Sequence, residues 1–241
     1  MKYLIIDERM REVEKETLEK LGYKLVTVKK NNSVYEEISS HVDIFASKIG
    51  EKVIIEKSQF ENIKSQLPKE CKLIKEGADF VGGRYPDDIK YNICIIGKIA
   101  LHNFKYTDSK IKQELAKNKF DLINVKQGYT NCSIAIIDEN TIITSDSGLN
   151  KSLSNKNVDI LLLDYTPDIK LYKNNTYSTK NGFIGGAISR VGDDIIVFGD
   201  LNIIDKDQMI RNFIQKRNLK IIDFKGLDVI DYGGMLEIDV S

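Results

Sequence analysis

The chain has 241 residues, of which 41% are hydrophobic and 30% are charged, a size and composition that allow one large globular domain or two small ones. Its 36 Lys and Arg residues balance its 36 Asp and Glu residues, so no overall positive field exists to attract nucleic acid or an anionic membrane. No apolar run approaches the roughly 20 residues of a membrane helix. We therefore expect neither a nucleic-acid partner nor a membrane-bound protein.

The N-terminal stretch MKYLIID ends at an acidic residue, which is not typical of a signal peptide and predicts a first β-strand. The chain has three cysteines, Cys71, Cys94 and Cys132, and their odd number and wide spacing argue against a disulfide framework. This cysteine use predicts the reducing cytoplasm. Two histidines and no CxxC motif argue against a zinc site, and we expect no metal and no cofactor.

A pattern of a polar helix, a short turn and a β-rich strand recurs roughly every 48 residues. For four of the helices the sequence predicts N-terminal caps: Asp7, a capping box of Ser58 and Glu61, Asp108, and Asp205. The five segments with this pattern cover residues 7–28, 58–76, 108–125, 148–164 and 205–224.

Two β segments joined by a tight turn precede four of the helices. A fifth pair is split between the chain ends, because GGMLEIDV at the C-terminus and MKYLIID at the N-terminus are the two halves of one hairpin. Pairing these halves would close a ring and remove two exposed sheet edges. The four continuous hairpins cover residues 41–56, 91–103, 131–146 and 185–200.

The sequence therefore predicts an α/β fold of five pseudo-symmetric ββαβ units, a propeller closed by the N- and C-terminal strands, with residues 1–241 as a single domain. The alternative is two ordinary α/β domains. A polar insertion over residues 166–182 interrupts the last unit, and it is either a surface loop or a lid over a site.

This repeat resembles the pentein fold. That fold includes guanidine-modifying enzymes, namely deiminases, dimethylarginine hydrolases and amidinotransferases, and also a non-enzymatic ribosome anti-association factor. The segment HVDIFASKI is similar to a His-x-Asp motif of the enzymes, which implies that His41 is an acid/base and that Asp43 contacts a guanidinium. On a strand, residues two apart share a face, so both could reach one ligand. The alternative is that both are structural polar residues at a strand start.

The resemblance also implies a nucleophilic cysteine after a glycine-rich turn near the C-terminus. Met235 occupies that region, and no cysteine follows Cys132. A thioether cannot replace a thiolate, so the usual covalent chemistry is not expected. Cys132 begins a strand that could approach the channel, which makes it the alternative nucleophile; otherwise it is a small buried residue.

Other predicted ligand-binding residues precede the inner strands of the ring. Arg84 could bind a carboxylate, and Asp87 and Asp88 add negative charge beside it, although GGRYPDD is equally typical of a turn. Asn92 and Asn131 are neutral hydrogen-bonding groups at similar positions, and Met235 completes the predicted set.

The leading hypothesis is a protein that binds a small guanidino- or amino-acid-like ligand in the central channel, without thiol-dependent deiminase or amidinotransferase activity. One alternative is an active hydrolase of guanidino C–N bonds that uses Cys132 or water. Another is a non-enzymatic ribosome- or protein-binding module, and a third is an inactive relative that assembles with an active partner.

Overall fold

Five three-stranded sheets and one two-stranded hairpin make up the β-structure of a computed structural model that describes residues 1–240. The strands are β1 (Lys2–Asp7), β2 (Lys24–Val28), β3 (Ala46–Ile49), β4 (Lys52–Ile55), β5 (Ile74–Glu76), β6 (Cys94–Ile96), β7 (Ile99–His102), β8 (Asp121–Asn124), β9 (Ile134–Asp138), β10 (Thr141–Thr144), β11 (Asp159–Leu162), β12 (Tyr172–Lys173), β13 (Thr176–Tyr177), β14 (Ile188–Val191), β15 (Asp194–Val197), β16 (Lys220–Ile222) and β17 (Leu236–Asp239).

The five three-stranded sheets share one topology. Their orders are β3-β4-β5, β6-β7-β8, β9-β10-β11, β14-β15-β16 and β17-β1-β2. In each, the first strand pairs antiparallel with the central strand, and the central strand pairs parallel with the third. A parallel pair requires a crossover, and a helix supplies it in every unit. The four predicted continuous hairpins are confirmed.

The chain ends meet in one sheet. Strand β17 pairs antiparallel with β1 in a register that places Lys2 opposite Asp239 and Ile5 opposite Leu236. Strand β1 lies between β17 and β2 and is buried from Tyr3 to Asp7. The predicted pairing of the terminal strands is confirmed. The predicted C-terminal stretch ends at Ser241, which lies outside the described residues.

Seven α-helices lie within the described residues, and five of them connect strands of the three-stranded sheets. They are α1 (Glu12–Lys20), α2 (Val42–Phe45), α3 (Lys57–Ser65), α4 (Ser109–Lys117), α5 (Ser147–Leu153), α6 (Ile184–Ala187) and α7 (Met209–Gln215). Short 3-10 turns cover Glu36–Ile38, Leu201–Ile203 and Lys206–Gln208.

Two of the predicted helix caps are wrong. Helix α1 begins after Arg11, because the carboxylate of the buried strand residue Asp7 is engaged by the Arg9 guanidinium and the Ser40 hydroxyl. Helix α3 begins after Glu56, whose carboxylate accepts a hydrogen bond from the Ser58 amide, so Ser58 is inside the helix.

The other two caps are confirmed at the level of hydrogen bonding. Asp108 caps α4 through its bonds from the amides of Lys110 and Ile111. The N-cap position of α7 is Gln208 rather than Asp205, but the Asp205 carboxylate accepts hydrogen bonds from the amides of Ile210 and Arg211 in the first turn of the helix. Both carboxylates thus satisfy amides that have no partner within the helix.

The central strands of the sheets carry continuous apolar runs rather than an alternating pattern. Ile54 and Ile55 in β4, Ile142 and Ile143 in β10, and Ile196 in β15 are fully buried. A central strand that is covered on both faces has apolar side chains on each face, so its sequence is a continuous apolar run. None of the helices in residues 1–240 is long and apolar enough to cross a membrane.

The polar insertion over residues 166–182 contains the small hairpin of β12 and β13. Asn174 and Asn175 form its turn with positive φ angles, a conformation that asparagine tolerates. Backbone hydrogen bonds join the insertion to the C-terminal segment. The Lys170 carbonyl accepts from the Asp231 amide, and the Lys170 amide donates to the Val229 carbonyl. The strand β12 also packs against the 3-10 turn at Glu36–Ile38.

Candidate functional site

The one-turn helix α2 positions His41 and Asp43, and this corrects the expectation that they lie on a strand. His41 is the N-cap residue of α2, Asp43 is inside the helix, and strand β3 begins only at Ala46. The amides of Val42 and Asp43 donate to the carbonyls of Tyr232 and Gly233. The C-terminal glycine segment therefore satisfies free amides at the start of α2 and holds the helix in place.

Asp43 is hydrogen-bonded to a segment nearly ninety positions later in the chain. The thiol of Cys132 donates to Oδ2 of Asp43 at 2.8 Å, and Nδ2 of Asn131 lies 3.4 Å from the same oxygen. Asn92 organises this segment, because its Oδ1 accepts from the amides of Asn131 and Cys132 and its Nδ2 donates to Sγ of Cys132 at 3.0 Å. The structure thus brings together three other predicted site residues, Asn92, Asn131 and Cys132, around Asp43.

Asp231 is a site residue that the sequence interpretation did not single out as a functional group. Its Oδ1 lies 3.6 Å from Nδ1 of His41 and accepts a hydrogen bond from the Gly233 amide. Its Oδ2 accepts from the Phe183 amide. The only signal in the sequence is its position just ahead of the Gly233-Gly234 pair. We call His41, Asp43, Cys132 and Asp231 the acidic cluster.

Several polar atoms of the acidic cluster are buried without hydrogen-bond partners. His41 is 1% exposed, and neither of its ring nitrogens has a partner among the described residues. Oδ1 of Asp43, a residue that is 3% exposed, has none either. Native proteins pair nearly all buried polar atoms, so such a group of unpaired atoms in one place requires an explanation.

Burial sets the protonation of the cluster. It raises the pKa of Asp43 to about 6, against the opposing hydrogen bonds from Cys132, Asn131 and Asn92. The pKa of Asp231 is also raised by burial, with the negative charge of Asp43 adding to the effect and His41 opposing it. Burial lowers the pKa of His41, which is therefore neutral near pH 7.

The Cys132 thiol is a poor nucleophile in this environment. Burial, and then the negative charges of Asp43 and Asp231, raise its pKa well above the ordinary value. A protonated thiol reacts far more slowly than a thiolate. The geometry brings Cys132 to the site, but the electrostatics keep its proton on the sulfur.

Glycines allow the cluster to pack this closely. A Cβ at Gly233 would lie 2.7 Å from Oδ1 of Asp43 and from Cβ of His41, and the φ of +70° at Gly233 disfavours any side chain. A Cβ at Gly186, in the one-turn helix α6, would collide with Asp231. One glycine of each Gly-Gly pair, Gly186 and Gly233, thus lets the backbone approach a carboxylate of the site closely.

The segment around Arg84 does not join this cluster. Arg84 and Asp87 are exposed, and the amide of Asp87 bonds to the Arg84 carbonyl in a turn. Asp88 is buried, and its Oδ2 accepts a 2.6 Å hydrogen bond from the Tyr129 hydroxyl. Burial raises the pKa of Asp88. Ligand binding by these three residues stays a prediction.

A cavity of about 910 Å³ lies beside the cluster. The first strands of all five three-stranded sheets contribute to its lining, through residues of β3, β6, β9, β14 and β17. Met235 is half-buried in its wall, and its amide bonds to the Ser189 hydroxyl. Asn131, Gly185 and Gly234 line the cavity as well, and directly behind them are Cys132 and Asp43. We call it the central cavity.

The residues from 1 to 240 include no group of three or more His, Cys, Asp or Glu side chains placed to hold a metal ion.

The fold is similar to that of several solved pentein-fold enzymes. A mutant of DDAH from Pseudomonas aeruginosa, complexed with citrulline, matches with a TM-score of 0.55 at 10% identity, covering 92% of this chain and 91% of that one. SxtG, an amidinotransferase from Microseira wollei, matches with a TM-score of 0.55 at 11% identity, covering 94% and 78%. The agmatine deiminase of C. jejuni matches with a TM-score of 0.50 at 18% identity, covering 92% and 74%. These likenesses show the pentein fold.

Among curated proteins, none has a matching sequence. The family described as "Family of unknown function (DUF6873)" matches residues 5–236, nearly the whole length. The chain has the pentein fold, lacks a cysteine near the C-terminal glycine pair, and belongs to the DUF6873 family.

Proposed function

We propose that this protein binds the cationic group of a small guanidino- or amino-acid-like ligand at the acidic cluster. The observation that carries the proposal is the set of unpaired buried atoms, Oδ1 of Asp43 and both ring nitrogens of His41. A planar cation with several N–H donors, such as a guanidinium, would pair with the Asp43 and Asp231 carboxylates. It would donate to Oδ1 of Asp43 and to the one unprotonated ring nitrogen of the neutral His41.

We further propose that the five ββαβ units form a closed propeller and that the central cavity is its channel. The shared topology of the five sheets, the pairing of β17 with β1, and the lining of one cavity by all five first strands support this arrangement. The cluster would then lie at the inner end of the channel, where residues from every unit could contribute to a ligand site.

Binding without thiolate chemistry is favoured by the state of the cysteines. Cys132 is buried and its pKa is raised, and no cysteine follows it in the sequence. Asp43, by contrast, has a pKa of about 6, so it is mostly ionised near pH 7 and available to a cation. The proposed function is therefore recognition by carboxylates, with His41 as a neutral hydrogen-bonding group.

Thermal unfolding with a panel of guanidino compounds, amines and amino acids tests this proposal. A ligand at a hundredfold excess over its Kd stabilises the folded state by about 2.7 kcal/mol. We expect one ligand class to raise the unfolding temperature of the wild type, and Asp43→Asn to remove that shift. The matched control is Glu61→Gln, since Glu61 is an exposed carboxylate on α3 that pairs with Lys64 of the same helix. The absence of any Asp43-dependent shift across the panel would contradict the proposal.

A second candidate function is hydrolysis of a guanidino C–N bond with Cys132 as nucleophile. The observation in its favour is the 2.8 Å hydrogen bond from the thiol to Oδ2 of Asp43, which places a proton acceptor beside the sulfur. The same incubations separate the two functions. Release of ammonia or amine that is lost in Cys132→Ala would support the hydrolase, whereas binding without turnover supports the leading proposal.

A further inference from the structure

A second cavity, of about 390 Å³, lies under the ends of the insertion. Ser133 lines it and is 4% exposed, and its hydroxyl has no hydrogen-bond partner among residues 1–240. A buried hydroxyl that bonds to nothing in the folded chain is available to a bound molecule. The cavity is lined by Ser133, Ser145, Asp146, Ser147, Thr166, Pro167, Asn181, Gly182, Phe183 and Ile184.

This cavity shares a wall with the acidic cluster. Ser133 follows Cys132 directly, and the amide of Phe183 donates a 2.8 Å hydrogen bond to Oδ2 of Asp231. Gly182 packs so closely on Asp231 that a Cβ there would meet its side chain. A ligand whose cationic head pairs with the cluster carboxylates therefore has this cavity beside it for its remaining atoms.

The charges around the cavity restrict what it can hold. No Lys or Arg is among its described lining residues, so a carboxylate in the cavity would have no cationic partner there. The one acidic residue, Asp146, is already engaged: its Oδ1 accepts from the amides of Gly148 and Leu149, and its Oδ2 accepts from Gln127. Hydroxyl and amide groups remain, and these bind neutral polar groups.

We infer that the second cavity holds an uncharged tail bearing a hydroxyl or amide group, and that Ser133 is the residue that recognises it. This inference rests on the proposed function, because it takes the cationic head to bind at Asp43 and Asp231. It narrows the ligand class to guanidino or amino compounds without a carboxylate in the tail.

Three probes with the same head and chain length test this inference by calorimetry: guanidinopropanol, propylguanidine and guanidinopropionate. On the wild type we expect guanidinopropanol to bind about three- to tenfold more tightly than propylguanidine, the usual gain from one hydrogen bond. Guanidinopropionate should bind most weakly. Ser133→Ala should remove the preference for guanidinopropanol and leave the affinity for propylguanidine unchanged. Ser152→Ala is the matched control, because Ser152 is an exposed hydroxyl on α5 that does not line the cavity.

The outcomes separate this inference from the proposed function. Equal binding of the alcohol and propylguanidine, an alcohol preference that survives in Ser133→Ala, or tightest binding of guanidinopropionate would overturn the inference, while Asp43-dependent binding would leave the proposed function in place. If no probe binds in an Asp43-dependent way, the inference is wrong. The proposed function is wrong as well if no member of the wider panel of guanidino compounds, amines and amino acids gives an Asp43-dependent shift. Should Ser133→Ala fail to fold, Ser133→Cys replaces the hydroxyl by a weakly donating thiol and is expected to reduce the preference for guanidinopropanol over propylguanidine.

Discussion

At the scale of single residues, Asp43 combines burial with a free acceptor oxygen. A buried carboxylate without a complete set of partners destabilises the folded state whenever it is ionised. Folding alone gives no reason to keep such a group, whereas binding of a cation does. Ligand-binding residues of this kind are commonly held at the expense of stability.

The pH dependence of stability should reveal Asp43 directly. Its pKa in the folded chain, about 6, is above the ordinary value of 3.8, so the folded state binds more protons than the unfolded state between these values. Its contribution to the free energy of unfolding therefore falls as pH rises from about 4 to about 6, by an amount on the order of 3 kcal/mol. Asp43→Asn should remove this fall. Urea unfolding across that pH range measures it.

The quantity to compare is the difference in free energy of unfolding between the variant and the wild type at each pH, because other carboxylates also titrate in this range. Asp43→Asn should gain stability relative to the wild type as pH rises. For Glu61→Gln, the curve of unfolding free energy against pH should run parallel to that of the wild type. Parallel curves for Asp43→Asn and the wild type would show that Asp43 is not buried as described.

At the scale of elements, the insertion is joined to the segment that carries His41 through Glu37. The Glu37 side chain is 7% exposed; it accepts a hydrogen bond from the Ser178 hydroxyl, and Lys173 and Lys180 each lie 3.7 Å from its carboxylate. Burial opposes ionisation of Glu37, but its own amide, Ser178 and the two lysines outweigh this, and the pKa of Glu37 is lowered.

Glu37→Gln should loosen the insertion, because it removes the charge that faces the two lysines while keeping a similar shape. We expect faster hydrogen exchange at the amides of Ser178 and Gly182, which bond to the carbonyls of Leu171 and Ile169 within the insertion. Mass spectrometry of peptides from residues 166–183 measures this exchange. Glu36→Gln is the matched control, since Glu36 pairs with Lys30 instead. Unchanged exchange in Glu37→Gln would show that Glu37 does not hold the insertion.

At the scale of the whole molecule, the two chain ends lie side by side. The N-terminal ammonium donates to the carbonyl of Val240 at 2.7 Å and lies 3.4 Å from the Asp239 carboxylate. Strand β1, which would otherwise be at an edge of its sheet, is covered by β17. In the proposed ring of equivalent units, the position of the chain break would have little consequence for packing.

A circular permutant tests this equivalence. Joining the ends through a short Gly-Ser linker and opening the chain between Gly50 and Glu51, in the exposed turn between β3 and β4, should preserve the fold. We expect the unfolding temperature to fall by no more than about 8 °C, which corresponds to about 2 kcal/mol for a chain of this length. A permutant opened between Val53 and Ile54, inside the buried strand β4, is the control and should be far less stable. Equal stability of the two would contradict the description of the units.

The sequence by itself determined the repeating elements of this protein. These elements depend on features that act over a few residues, so local patterns predict them. Such features are the apolar runs of the strands, turn glycines such as Gly50 and Gly97, and the helix cap at Asp108. The sequence also predicted the pairing of the two terminal strands, because together they complete a hairpin that the four other units contain.

The predicted cap at Asp7 was wrong because its carboxylate is engaged by Arg9 and by the distant Ser40. The strand position of His41 was wrong because the Gly233 segment holds the start of α2. The cap at Ser58 was wrong for a local reason, since Glu56, two residues earlier, caps α3 instead.

Only the tertiary structure decided which polar residues act together. Asp43, Cys132 and Asp231 come from three distant segments. The repeat predicted that residues ahead of the inner strands could converge, but it did not distinguish these three from Arg84 and Asp87, which remain at the surface. Burial then changed their chemistry: it raised the pKa of Asp43 and Cys132 and lowered that of His41. Solvation of a side chain depends on everything packed around it, and that environment is a property of the folded chain.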